Sequence, residues 1–126
     1  MSDVHQEILA DVFSKACPSR DTLEHVTGRW GILAMMALTE GTFRFNALRR
    51  RVEGVSEKML AQTLQALERD GFVHREAQPV IPPKVEYSLT PLGEQTAAKV
   101  IDLVRFLEGK LPEVLAAQQR YDAAKG

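Results

Sequence analysis

The sequence predicts a mainly helical α+β domain carrying one small β-hairpin. Three observations carry this. Apolar residues recur at helical spacing in several separate stretches. Ser56 and the pair Thr90-Pro91 are strong helix starts, a hydroxyl at the N-cap and, in the second case, proline at the first helical position. Between those starts, residues 72–76 and Lys84–Leu89 read as two strands around a proline-rich loop. With 126 residues, 44% of them hydrophobic, the chain is long and apolar enough for one domain with its own core.

Taken in order, Val4, Ile8 and Val12, flanked by Leu9 and Phe13, predict an amphipathic helix over residues 3–15. Cys17-Pro18-Ser19 interrupts it, because proline disfavours helix at the residue before it. Ser19 is a good cap for a second helix over residues 20–26, ending near Gly28. Trp30 to Leu38 is almost wholly apolar, which predicts a helix buried on all sides, with Trp30, Met35 and Met36 as core residues. After Gly41, residues 42–44 read as a very short strand. Residues 46–52 read as a short helix with Ala47 and Leu48 inward and Arg49, Arg50 and Arg51 outward. Glu53-Gly54-Val55 is a turn.

Ser56 opens the most informative helix, residues 57–70. Leu60, Leu64 and Leu67 form one stripe. Lys58, Gln62, Gln65 and Arg69 lie on the opposite side at about 100° per residue. Gly71 is the expected terminator. In residues 78–83 the prolines lack the donors a central strand needs, so this is a loop with Val80 and Ile81 at its tip. The helix from Thr90-Pro91 runs to about residue 108. Leu92, Val100, Leu103, Val104, Leu107 and Leu111 share a face, and Ile101 and Phe106 add apolar surface elsewhere. Leu111-Pro112 breaks the path, a last helix covers residues 113–121, and residues 122–126 are expected to fray.

Two helices joined by a tight turn and followed by a hairpin describe a winged helix-turn-helix. The major groove of B-DNA admits one helix and is read by donors and acceptors, both of which the Lys58, Gln62, Gln65, Arg69 stripe offers. Arg49, Arg50 and Arg51 are candidates for phosphate contacts, and Arg75 and Lys84 on the hairpin for the adjacent backbone or minor groove. The net charge of −1 lends this little support. Its distribution lends more: residues 44–84 hold eight basic and five acidic side chains, a surplus of three that leaves −4 for the rest.

Five blocks in order resemble the HxlR-type winged-helix regulators, a family with a MarR-like winged-helix fold. They are Gly28-Arg29-Trp30, Arg44-Phe45-Asn46-Ala47-Leu48, Ser56-Glu57-Lys58-Met59-Leu60, Asp70-Gly71-Phe72-Val73, and the most specific one, Pro82 to Gly93. Cys17-Pro18 also stands where many members have such a pair. The resemblance spans about residues 17–93 and adds Arg44, Asn46, Ser56 and Met59 to the candidate DNA-contacting set. Glu57 departs from the family, where an uncharged residue is common, so no base contact is carried onto it. The resemblance implies a homodimer on a roughly palindromic operator, with dimer contacts from the N-terminal helix and the C-terminal helices. Surplus apolar surface on those helices agrees. The expected organisation is one domain, residues 1–126. Residues 1–16 and 91–121 serve dimerisation, and residues 17–90 form the reading core and wing. The expected role is a sequence-specific transcriptional regulator acting as a repressor.

Cys17, the one cysteine, has two readings: a small buried hydrophobe, or a redox or electrophile sensor favoured by a helix N-terminus and Arg20. Some relatives sense oxidants or quinones at this place. A disulfide would have to join two subunits or a small thiol. His5, His25 and His74 show no metal-ligand spacing, so no metal or other cofactor is expected. No nucleophile and base, paired carboxylates or phosphate loop suggests an enzyme. The competing class is a winged-helix module for protein contact without DNA affinity. No apolar run long enough to span a membrane and no secretory signal appears, which predicts a cytoplasmic protein.

Overall fold

The structure, a computed structural model, describes residues 11–126. Its elements are α1 (Pro18–Thr27), α2 (Arg29–Leu38), β1 (Phe43–Arg44), α3 (Phe45–Arg51), α4 (Glu57–Arg69), β2 (Val73–Gln78), β3 (Lys84–Leu89), α5 (Pro91–Gly109) and α6 (Leu111–Lys125). The three strands form one antiparallel sheet in the order β1-β3-β2. This is the mainly α architecture with a hairpin that the sequence predicts, a winged helix-turn-helix.

The core gathers where α2, α3, α4 and the root of the sheet meet. Met35, Leu48, Leu60, Leu64 and Leu67 are its largest fully buried side chains. Val26 of α1, Phe72 and Val73 at the start of β2, and Ala97 of α5 close it, and Trp30, Phe43, Phe45, Tyr87 and Leu89 pack around it. The leucine stripe of α4 therefore does what its spacing predicts: it holds the helix by one face and leaves the opposite face to solvent.

Several boundaries differ from the sequence-based expectation. Most of the helix expected over residues 3–15 lies outside the described residues, but residues 11–15 are not helical: 12, 13 and 15 are turns and 14 is a bend. There the Ala16 amide donates to Ser14 Oγ at 3.4 Å and the Cys17 amide to the Ser14 carbonyl, local bonds that compete with a helical ladder. The second helix starts at Pro18 with Cys17, not Ser19, at the N-cap, because proline's fixed φ suits the first helical position. Helix α2 is not buried all round: Ala34, Met35, Ala37 and Leu38 are inside, while Leu33 is 39% exposed. Strand β2 runs on to Gln78, which pairs with Lys84, so the loop is residues 79–83 and the ladder stops where Pro79 has no amide to give. Helix α6 continues through Lys125, and the expected frayed tail is helical but for Gly126; Ala123 and Ala124 are good helix formers.

Strand β1 is only two residues long, yet it becomes the third strand, with Phe43 opposite Tyr87 and Arg44 opposite Glu86. That pairing ties the start of α3 to the root of the wing.

Candidate nucleic-acid interface

Helix α4 is built as the sequence implies. Ser56 Oγ accepts a hydrogen bond from the Met59 amide at 3.1 Å, which satisfies one of the first-turn donors. Lys58, Gln62, Gln65 and Arg69 are all exposed along its outer face, and Met59 is 40% exposed beside them. Asp70 caps the C-terminus, and Gly71 turns the chain at φ +86° into β2, a conformation that favours glycine.

The three arginines of α3 do not act as one patch. At about 100° per residue they leave the short helix in three directions. Arg49 Nη1, on a half-buried residue, lies 3.7 Å from Oε1 of the exposed Glu57. The carboxylate that departs from the family pattern thus sits against one of the candidate phosphate-binding cations. Arg50 shares a cleft with Arg44, Asn46 and Pro83, at the junction of α3 and the wing. Arg51 turns the other way. Its Nε donates to Glu40 Oε1 at 2.9 Å and its Nη2 to Glu40 Oε2 at 2.6 Å, a bidentate pair that anchors the end of α3 to the end of α2. These hydrogen bonds, with the positive charge behind them, hold the Glu40 carboxyl below the usual carboxylate range. The structure therefore brings Arg44, Asn46 and Arg50 together and sets Arg51 apart.

The wing separates its two cations as well. Side chains alternate across a strand, so the register places Val73, Arg75, Ala77, Val85, Tyr87 and Leu89 on one face and His74, Glu76, Gln78, Lys84, Glu86 and Ser88 on the other. Arg75 and Lys84 point to opposite faces. Lys84 shares its face with Glu76 and Glu86, which stand directly across from each other, and Gln78 Nε2 donates to Glu86 Oε1 at 3.0 Å.

Two features escape the sequence reading. Arg29, exposed at the start of α2, holds its guanidinium 5.6 Å from the centroid of the Trp30 ring and lines a cleft with Met59 and Gln62. It is a further cation beside the outer stripe, but only the tertiary contact of α2 with α4 reveals it. The second is a bond between His25 Nδ1, which donates, and Asp70 Oδ2 at 2.6 Å, joining α1 to the end of α4.

Cys17 is 5% exposed, and its Sγ lies 2.9 Å from Ser19 Oγ in a hydrogen bond. Among the described residues no group of three or more His, Cys, Asp or Glu is placed to hold a metal ion. No described helix is long and apolar enough to cross a membrane. Helices α5 and α6 expose Leu92, Leu103, Phe106, Leu107, Leu111, Val114, Leu115 and Tyr121, and α6 buries no residue at all.

Comparison with known proteins matches this arrangement. The model of the HxlR-like helix-turn-helix family covers residues 25–114. The chain is 62% identical over 108 residues to the uncharacterized HTH-type transcriptional regulator YtfH of Escherichia coli K12, covering 86% of each chain. Among solved structures it resembles the putative transcriptional regulator ytfH from Salmonella typhimurium at 60% identity, with a TM-score of 0.80, covering 85% of this chain and 96% of that one. It also resembles the redox regulator HypR in its reduced form, at 36% identity and a TM-score of 0.70, covering 79% and 98%. The oxidized form of that regulator matches at 38% identity and 0.66, covering 74% and 96%. With the family model spanning most of the chain and the helix, turn, helix and wing in place, the chain belongs to the HxlR-like helix-turn-helix family of transcriptional regulators.

Proposed function

We propose that this regulator binds duplex DNA in a sequence-specific way, as a homodimeric repressor on a roughly palindromic operator. The observation that carries this is α4: a buried leucine stripe backs an exposed Lys58, Gln62, Gln65, Arg69 stripe, and the wing follows at once. Such a helix fits the major groove with donors and acceptors toward the base edges. Arg44, Asn46 and Arg50 form the phosphate-contacting group beside it, with Arg29 and Arg49 flanking, Ser56 and Met59 at the helix entry, and Arg75 or Lys84 reaching the backbone from whichever wing face meets it. Arg51 is left out of the set, since its guanidinium is committed to Glu40. The unburied apolar side chains of α5 and α6 support dimerisation through residues 91–121, with residues 1–16 contributing and residues 17–90 reading. Two-fold symmetry then places the two α4 helices ~34 Å apart, one turn of DNA.

A mobility-shift titration with the DNA upstream of the gene, at two salt concentrations, tests this. Affinity should fall steeply with salt as phosphate contacts release counterions. Absence of any shift at low salt would sink the proposal in favour of a protein-contact module. Arg50→Ala should weaken binding to every duplex and reduce the magnitude of the log–log salt slope by about 1. Lys58→Ala and Gln62→Ala should each relax base preference by ~1–3 kcal/mol, read as competition between the operator and single-base variants.

We further propose that oxidants act on Cys17. Its place at the N-cap of α1, beside the Ser19 hydroxyl, and the likeness to the redox regulator HypR support this. Hydrogen peroxide or hypochlorous acid would take the Cys17 thiol to the sulfenic acid and be reduced in turn to water, or to chloride with release of a proton. Condensation with a second thiol, from a small molecule or from Cys17 of the partner subunit, would then release water and leave a disulfide. The sulfur is buried, so a local opening around Cys17 must precede its reaction with an oxidant. Cys17→Ser should keep DNA binding and lose any response to hypochlorite, diamide or quinones. A wild-type protein whose DNA affinity ignores all of these has no such sensor.

A further inference from the structure

The corner at residues 70–72, where the reading helix hands over to the wing, is held from two sides. On one side the Asp70 carboxylate, only 11% exposed, accepts from His25 of α1. On the other, Thr90 Oγ1 donates to the Gly71 carbonyl at 2.6 Å, and the Thr90 amide donates to the Phe72 carbonyl at 3.0 Å. Gly93 of α5 lies so close behind that an added Cβ would overlap that same Phe72 carbonyl. His25 is itself fixed: Val26 beside it is in the core, and Gly31 of α2 leaves room for the His25 carbonyl where a Cβ would overlap it.

Asp70 is not placed there for the helix's own sake. A carboxylate at a helix C-terminus opposes the helix dipole, so an acidic C-cap next to the wing calls for a partner, and His25 supplies it from 45 residues away. The bond joins α1 to the end of the helix that presents the outer stripe, while Thr90 joins α5 to the start of the wing.

We propose that His25 and Asp70 are positioning residues that set the pose of α4 and the wing for reading DNA, with α1 and α5 as the two jaws of a clamp on the corner between them. This rests on the DNA-binding reading above. In this role the two residues act through their mutual bond, not through a base contact. Losing their bond lets α4 tilt about a corner still held by Thr90, so base contacts suffer and phosphate attraction does not.

The probe is a duplex selected from random sequence by the wild-type protein, against a scrambled duplex of equal length and composition. His25→Ala and Asp70→Ala should each weaken binding to the selected duplex about tenfold, close to 1.4 kcal/mol, and leave the scrambled duplex within about twofold. The double variant should lose no more than either single one, since one bond is being removed twice. Asp70→Asn, whose amide oxygen still accepts from Nδ1–H, should retain most of the discrimination and serves if Asp70→Ala folds poorly. Equal losses on both duplexes, additive single effects, or unchanged discrimination would each overturn the clamp. A wild-type protein that selects no duplex overturns the DNA-binding reading and the clamp with it, an outcome distinct from a selecting wild type whose variants select equally well.

Discussion

Leu64→Ala is expected to lower the unfolding free energy by about 2–5 kcal/mol, measured by urea denaturation with an unchanged slope. Leu64 is 1% exposed, midway along α4, between Leu60 and Leu67 in the same stripe. Removing three carbon atoms there costs their transfer free energy and opens a cavity in the shared core that the surrounding packed side chains close only in part. The adjacent position makes the contrast. Gln65 faces solvent, and Gln65→Ala should change stability by no more than about 0.5 kcal/mol. One helix thus separates folding from reading by a rotation of one residue. A small stability loss at Leu64, or a large one at Gln65, would mean that α4 is held differently.

Gly93→Ala is expected to cost about 3 kcal/mol, seen as a fall in Tm. The added methyl would meet the Phe72 carbonyl, which is backbone and already accepts from the Thr90 amide, and it would also crowd Leu89. A flexible side chain could turn aside at little cost; a hydrogen-bonded carbonyl at the root of the wing cannot, so α5 or β2 must shift. Because Thr90 and Gly93 are one helical turn apart and both engage the same corner, the damage should reach the wing. Amide exchange at Phe72 and Val73 should quicken in the variant more than at Leu60 or Leu64. A Tm within a degree or two of wild type would show that α5 does not approach the corner this closely.

Much of the architecture is legible in the sequence because it is local. The opposed stripes of α4 need only a period of 3.6. The caps at Ser56 and Thr90 need only one hydroxyl with an amide three residues on, and both bonds form as expected. The hairpin needs two short runs and a loop too rich in proline to pair. Strand β1 is harder. Two residues have no period, and their partnership with Tyr87 and Glu86 depends on α3 and the wing having already packed.

The candidate interface is legible as a set of residues but not as an arrangement. Arg49, Arg50 and Arg51 look alike as a run of charge, and their helix sends them to Glu57, to the wing cleft and to Glu40. Arg75 and Lys84 look like two cations on one hairpin, and their strand parity puts them on opposite faces. Arg29 enters the picture only because α2 crosses beside Met59 and Gln62.

By itself, then, the sequence determines the order of helices and strands, the buried face of α4, the caps, and membership in the helix-turn-helix class, since each follows from neighbours within a turn or two of one another. The tertiary structure alone decides which cations converge, which one Glu40 takes away, and that His25 meets Asp70 across 45 residues. Those outcomes depend on how whole elements cross, and a crossing is set by the summed packing of buried side chains, which no local pattern encodes.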